Sequence, residues 1–178
     1  MKPWLIPIAA LVVVSVGTCK SQPAFQDPFQ RPQIDWKPSL MLDIGQAERI
    51  LGNQSRLEGV TAYLYEGIRA YQSSFRDDWL DPESGKTGIL YFVYEEYESA
   101  DAARSYLDPT LKANHVSLRD GIRLANGAEI YYLTGGRVIR MVMILKANHL
   151  IRVKVNQVTS RYSLNEFEKV AGELANQL

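Results

Sequence analysis

Few residues in this chain have the types and spacing that catalysis or metal binding requires. The 178-residue sequence contains one cysteine and two histidines. A structural zinc site takes four ligands, mostly sulfur and imidazole, and a disulfide needs a second cysteine. The Gly-x-Ser-x-Gly turn that presents a serine nucleophile does not occur. We therefore expect no metal, no cofactor and no catalytic residue, while a site assembled only by folding stays open.

One acidic group lies in a predicted loop and consists of Asp77, Asp78, Asp81 and Glu83. Such carboxylates are ligands for calcium, but this spacing lacks the alternate carboxylates and the central glycine of an EF-hand loop. We interpret the group as a solvated acidic turn.

A second acidic group, Glu95, Glu96 and Glu98, follows a predicted strand. Glycosidases use two carboxylates across a cleft, but their separation in space is not visible in a sequence. Because charged residues at a strand end usually mark the surface, we expect these three to be exposed. The two histidines, His115 and His149, are the ordinary side chains that titrate near neutral pH, and nothing in the sequence pairs either with an acid.

Basic side chains are frequent in the last hairpin of the predicted fold. In the final strand Arg152 and Lys154 alternate with apolar residues, so both are expected to point outward. One interpretation is a docking patch for anionic lipid, lipopolysaccharide or an acidic envelope protein. The other is that the charges keep an edge strand from pairing with other chains. The candidate patch consists of Arg137, Arg140, Lys146, Arg152 and Lys154.

The chain has ten tyrosines, most of them in predicted strands. Tyrosine is enriched at interfaces because its ring is apolar and its hydroxyl forms hydrogen bonds. Strand propensity explains the same enrichment without a function. Both interpretations stay open for Tyr63, Tyr65, Tyr71, Tyr91, Tyr94, Tyr97, Tyr131 and Tyr132.

Charge balance argues against one class of partner. The sequence has 20 basic and 20 acidic residues, whereas a nucleic-acid-binding protein normally shows a concentrated basic excess. We therefore expect no nucleic-acid partner.

Residues 1–18 have the layout of a secretory signal, with one charge at Lys2, an apolar run and then small residues. The apolar run over residues 4–16 would extend about 20 Å as a helix, against about 30 Å for a bilayer core. Pro7 further disfavours a membrane-spanning helix. The segment therefore predicts export rather than a transmembrane anchor.

The segment Val16-Gly17-Thr18-Cys19 resembles the lipobox of bacterial lipoproteins. The resemblance implies that a diacylglyceryl group is attached to the Cys19 thiol and that cleavage leaves Cys19 as the new N-terminus. Acyl chains contribute about 0.8 kcal/mol per buried methylene to membrane binding, so the lipid bilayer is the first expected partner. Lys20 stands where the family's inner-membrane retention signal has aspartate, which implies the outer membrane, facing the periplasm. An ordinary signal with a free Cys19, or an uncleaved anchor, are the alternatives.

Residues 19–38 contain four prolines and no glycine, which favours an extended tether. Ile34 and Trp36 are unusual in a spacer. They are interpreted either as the first contacts of the domain or, less simply, as a partner-docking motif.

Residues 39–178 are expected to form a single domain. Predicted helices start at Asp43, which with Gln46 has the form of a capping box, and at Ser99 and Ser163. Strands are predicted over 59–75, as two strands or one bent strand, and over 89–94, 128–133, 137–145 and 150–157. Asp108-Pro109 is expected to kink the second helix or to start a second helical turn.

This order predicts an α+β fold: a largely antiparallel sheet with a C-terminal three-stranded meander, flanked by about three helices on both faces. The arrangement resembles the small secreted α+β domains of many bacterial lipoproteins and, loosely, the PsbP-type sandwich. We expect a non-enzymatic binding or accessory module in the cell envelope. A hydrolase acting on envelope material and a carrier of a small apolar ligand are the alternatives.

Overall fold

The computed structural model describes residues 31–114, 121–135 and 138–178. This part of the chain contains three helices, α1 (Ile44–Leu51), α2 (Ala100–Ala113) and α3 (Leu164–Gln177). Its seven strands are β1 (Ser55–Tyr65), β2 (Ile68–Asp77), β3 (Ile89–Glu96), β4 (Ile122–Arg123), β5 (Glu129–Gly135), β6 (Val138–Lys146) and β7 (His149–Gln157). The predicted α+β class is confirmed.

The strands form one sheet in the order β1-β2-β3-β7-β6-β5-β4, and every neighbouring pair is antiparallel. The predicted C-terminal meander is β5-β6-β7. Its last strand pairs with β3, and this pairing joins the two halves of the sequence in one sheet.

Helices cover both faces of the sheet, as the apolar strands predicted. On the first face α1 and α3 pack against a core that includes Phe92, Val153 and Phe167. On the second face α2 packs against a separate core that includes Leu107, Met143 and Leu150. Because side chains alternate along a strand, β6 contributes Val142 to the first core and Met143 to the second.

The predicted capping box of α1 is present. Asp43 Oδ1 accepts from the Gln46 amide at 2.7 Å, and Gln46 Oε1 accepts from the Asp43 amide at 3.1 Å. The helix ends at Gly52, whose φ of 76° is in the left-handed region. A Cβ there would lie 2.0 Å from the Arg161 carbonyl oxygen, so only glycine fits.

The box predicted for α3 is only half formed. Ser163 Oγ accepts from the Glu166 amide at 3.3 Å. The Glu166 carboxylate does not complete the box, because it accepts from Lys169 at 2.6 Å and from Arg49 of α1 at 3.5 Å. The α3 start is thereby linked to α1.

Residues 59–75 form two strands, one of the two predicted arrangements. Glu66 and Gly67 connect β1 to β2 and have φ values of 48° and 80°, which is the pattern of a tight hairpin turn. A bulge between Leu57 and Gly59 shifts the β1–β2 register.

Helix α2 continues through Pro109 as one element and does not start a second helix there. Proline removes the amide that would bond to the Ser105 carbonyl. Ser105 is exposed, so water can take the place of that amide.

Residues 31–38 lie against the fold, and the compact unit starts at Arg31. The Ile34 amide donates to the Ala62 carbonyl at 3.0 Å, and the Leu64 amide donates to the Pro32 carbonyl at 3.1 Å. These bonds add a short extended segment to the outer edge of β1. The last residues of the predicted tether therefore belong to the folded unit.

Among the described residues, no helix has the length and apolar character needed to cross a bilayer. Cys19 and the leader, His115 and Arg137 lie outside the described residues.

Candidate functional site

A recess lies between residues 34–44 and the β1–β2 hairpin. We call it the 34–44 groove. Its volume is about 690 Å³, within the range typical of small-molecule sites. It is lined by Ile34, Asp35, Trp36, Lys37, Met41, Leu42, Asp43, Ile44, Leu57, Val60, Ala62, Tyr71, Ser73 and Phe75.

The outer wall of the groove is fixed along its length. At one end Ile34 is bonded to β1, and at the other Asp43 caps α1. Between them Leu40 and Leu42 are buried in the first core, and the Trp36 ring lies 6.0 Å from the Tyr94 ring. The groove is therefore largely preformed.

Three large apolar side chains around the groove are half-exposed: Ile44 at 48%, Leu57 at 50% and Val60 at 50%. The aromatic floor residues Tyr71 and Phe75 are buried. Covering apolar surface is worth about 25 cal/mol per Å² removed from water. The lining therefore favours a ligand with an apolar body.

One polar group lies in this floor without a partner. Ser73 is 2% exposed, and its Oγ forms no hydrogen bond with any residue that the structure describes. Its cross-strand neighbours are Val60 and Phe92. Leaving a buried hydroxyl unsatisfied costs about 1–3 kcal/mol, so the groove has an unused hydrogen-bonding site among apolar side chains.

The charged residues of the groove belong to its outer wall. Asp35 and Lys37 are exposed and opposite in sign. The Asp43 carboxylate accepts from the Gln46 amide. The groove therefore shows no strong preference for a charged ligand at its floor.

A second candidate is a buried ion pair on the opposite face of the sheet, the Glu95 cluster, formed by Glu95, Arg152, Tyr65 and Tyr97. Glu95 is 0% exposed and accepts from Arg152 at 2.6 Å, Tyr65 at 2.7 Å and Tyr97 at 3.2 Å. The expectation that Glu95 would be exposed is wrong. β3 continues through Glu96, and its alternation turns Glu95 toward the face that α2 covers.

Electrostatics in the Glu95 cluster hold Tyr65, Tyr97 and Arg152 in single protonation states. Burial, followed by the nearby Glu95 charge, raises the pKa of both Tyr65 and Tyr97. Burial alone would lower the pKa of Arg152, but the Glu95 charge keeps that pKa above its usual value. The tyrosines stay neutral donors and the arginine stays charged, which is the behaviour of a structural ion pair and not of an acid–base catalyst.

Glu129 forms a similar group near β4. It accepts from Arg104 at 2.7 Å, from Tyr131 at 2.5 Å and from Arg123. Although burial opposes ionisation, hydrogen bonds from Tyr131 and the arginines hold the pKa of Glu129 below its usual range. The carboxylate thus joins α2 to β4 and β5.

The described residues of the predicted basic patch lie at different ends of the β6–β7 pair and differ in exposure. Arg140 and Lys154 are exposed near one end of the β6–β7 pair, while Lys146 lies at the other end. Arg152 shares the Lys154 face but is engaged with Glu95, and its side chain is 27% exposed. The structure therefore does not bring the four described members together.

The acidic loop does not form a solvated turn throughout, so that expectation is wrong for two of its members. Asp77 is 1% and Asp81 2% exposed. Asp81 accepts from Ser84 at 2.7 Å and from the Ser160 hydroxyl at 3.1 Å, and it thereby fastens its loop to the segment before α3.

The described residues contain no group of three or more His, Cys, Asp or Glu side chains positioned for a metal ion. His149 begins β7, and its Nδ1 lies 3.0 Å from the Tyr94 hydroxyl. Of the tyrosines predicted to line a ligand groove, Tyr71 lies in the floor of the 34–44 groove. Ile34 and Trp36, apolar residues in an apparent spacer, were the sequence signal for this site.

Comparison with known proteins adds no relative. No protein-family model matches the chain, and neither the curated proteins nor the solved structures contain a significant match. The functional argument therefore depends on the geometry of the chain itself.

Proposed function

We propose that this protein is a lipid-anchored binding protein of the bacterial cell envelope. Its folded unit holds the apolar body of a small amphiphile in the 34–44 groove. The observation that carries this proposal is the groove itself, a preformed recess of about 690 Å³ with a mainly apolar lining.

The anchoring part of the proposal is supported by the leader. Cys19 is the one thiol of the chain and lies where the apolar run ends, as in a lipobox. The formal net charge of the full sequence is zero, so overall charge would not hold the protein on an anionic membrane. Acyl chains on Cys19 supply that attachment, and the resemblance to lipoproteins favours the periplasmic side of the outer membrane.

The binding part is supported by the half-exposed wall. Ile44, Leu57 and Val60 border one recess instead of being scattered over the surface. Contiguous exposed apolar surface with a polar rim is typical of a binding site. The surrounding fold holds this surface open because the outer wall is bonded to β1 and capped into α1.

The test is the affinity of the full chain, purified from membranes and held in amphipol, for a fluorescent polyene fatty acid. Val60→Glu places a charge on the apolar wall, and we expect it to weaken binding at least about tenfold. Ile122→Glu is the matched control, since Ile122 is also a strand residue with 50% exposure but lies on β4.

We expect Ile122→Glu to bind the fatty acid as the unaltered chain does. Melting curves of both variants check that the fold is kept. Unchanged affinity in Val60→Glu, or equal losses in the two variants, would remove the groove from the proposal.

A further inference from the structure

We propose that the 34–44 groove selects ligands that carry an uncharged oxygen, a carbonyl or a hydroxyl, along an apolar chain. Ser73 is the residue that recognises this oxygen. The inference rests on the proposed function, because it names the chemistry of the molecule that the groove would hold.

The position of Ser73 carries the argument. Ser73 lines the floor, and its hydroxyl is buried and has no hydrogen-bond partner among the described residues. Tyr71 and Phe75 flank it on the same face of β2, and Val60 and Phe92 are its cross-strand neighbours. An alanine would fill this position without an unsatisfied group. A ligand that displaces the half-exposed Val60 side chain uncovers this hydroxyl, and an oxygen on that ligand supplies the missing partner.

The surroundings exclude a charged group at this depth. Lys37 is the basic residue of the lining, and it is exposed on the outer wall. A carboxylate or phosphate beside Ser73 would therefore be buried without a counter-ion, which is strongly unfavourable. A serine hydroxyl both donates and accepts, so a ketone, an ester carbonyl or a hydroxyl satisfies it.

The geometry also separates two parts of the ligand. A charged head remains at the rim, near Asp35 and Lys37, where water solvates it. The chain then runs over the apolar floor, and its oxygen meets Ser73. The expected ligand class is an aliphatic chain with an oxygen function away from its end.

The experiment compares two ligands of equal length, a saturated fatty acid and its mid-chain keto derivative, by displacement of the fluorescent fatty acid from the full chain in amphipol. We expect the keto acid to bind about three- to tenfold more tightly, the ratio that one neutral hydrogen bond gives. Ser73→Ala should remove this preference and leave the affinity for the saturated acid within about twofold.

Ser74→Ala is the matched control. Ser74 is the next residue of β2 and points to the other face, where Gly59 and Tyr91 are its cross-strand neighbours. This variant should keep the full preference for the keto acid.

A second measurement separates recognition from a structural role. Since Ser73→Ala removes an unsatisfied hydroxyl, the ligand-free variant should melt no lower than the unaltered chain. A clear drop in its melting temperature would show that the hydroxyl is already satisfied, and this would overturn the inference. Equal binding of both acids to the unaltered chain would also overturn it while leaving the proposed function standing. If neither acid binds, the proposed function itself fails.

Discussion

Glu95 shows how the protein accommodates a charge in its interior. A buried carboxylate is costly unless its oxygens are satisfied, and here an arginine and two tyrosines donate to it. Arg152 comes from β7, Tyr65 from β1, and Tyr97 is the residue that follows β3. The group therefore ties three strands together at the edge of the second core. Replacing one donor leaves the buried Glu95 charge without a full set of hydrogen bonds. The resulting loss of folding stability is larger than the net contribution of the intact ion pair.

Asp77 is the opposite case, because one oxygen of this buried carboxylate has no hydrogen-bond partner among the residues described. Its Oδ1 accepts from the Trp79 amide at 3.2 Å, whereas Oδ2 forms no hydrogen bond within the part of the chain that the structure describes. Burial raises the pKa of Asp77 above its ordinary value. The folded state therefore binds this proton more tightly than the unfolded state does, and the stabilisation that this provides is lost as pH rises from the unfolded-state pKa through the raised pKa.

We expect Asp77→Asn to stabilise the protein at neutral pH by about 1 kcal/mol or more, since an unpaired buried charge is replaced by a neutral group. The advantage should shrink on acidification and vanish below the unfolded-state pKa, where Asp77 is protonated in both states. Urea unfolding of both chains between pH 3 and 7 measures this difference in the free energy of unfolding.

Asp78→Asn is the control for this series. Asp78 is exposed and forms a surface ion pair with Arg56 at 3.0 Å, so its loss should change stability by less than about 1 kcal/mol. A stabilisation of Asp77→Asn that is equal at every pH would contradict the expected role of the charge.

At the scale of elements, the helix ends show most directly how local sequence dictates structure. The capping box at Asp43 and the end of α1 at Gly52 were both predictable from the sequence, because each depends on residues within one helical turn. The second capping box was predicted equally clearly but is half formed. Glu166 instead accepts hydrogen bonds from Lys169 and Arg49. The Arg49 contact arises because α1 packs beside α3, and local sequence patterns carry no information about that packing.

At the junction between α1 and the loop before α3, Gly52 lies directly against the Arg161 carbonyl. We expect Gly52→Ala to destabilise the fold by more than about 2 kcal/mol, because it combines left-handed strain with a clash against the Arg161 carbonyl. Thermal and urea unfolding measure this loss.

Gly85→Ala separates the two effects. Gly85 also has a positive φ of 64°, but a Cβ there meets no atom within 4 Å. This variant should lose only the strain, about 1 kcal/mol. Equal losses in the two variants would mean that the contact with Arg161 contributes nothing.

For the whole molecule, sequence patterns predicted the fold class, the meander and helices on both faces, because apolar periodicity directly reports which faces are covered. The 34–44 groove was not predicted. It forms where residues far apart in sequence, such as Trp36, Val60 and Ser73, border the same space. Glu95 was misplaced for a related reason, since its three donors come from distant parts of the chain.

Attachment to the membrane is a property of the whole chain and has a direct test. We expect Cys19→Ser to move the protein from the membrane to the soluble fraction, because the acylated thiol supplies the apolar attachment. Cell fractionation measures this shift, and intact mass of the unaltered protein should show the added acyl groups.

Ser21→Ala is the matched change close to the same site and should leave fractionation unaltered. If the Cys19→Ser protein were still cleaved and still fractionated with membranes like the unaltered chain, lipid anchoring would be contradicted.

The two edges of the sheet determine how easily copies of the protein pair with one another when they are crowded. At one border β4 is only two residues long, and at the other residues 32–34 occupy part of β1 while the bulge at Leu57–Gly59 distorts the rest. A long, regular, unpaired strand is the usual template on which copies of a protein stack into aggregates. Within the described residues, the β1 border is interrupted in this way, whereas β4 pairs with only the first two residues of β5. We therefore expect copies crowded on a surface not to pair edge to edge along β1.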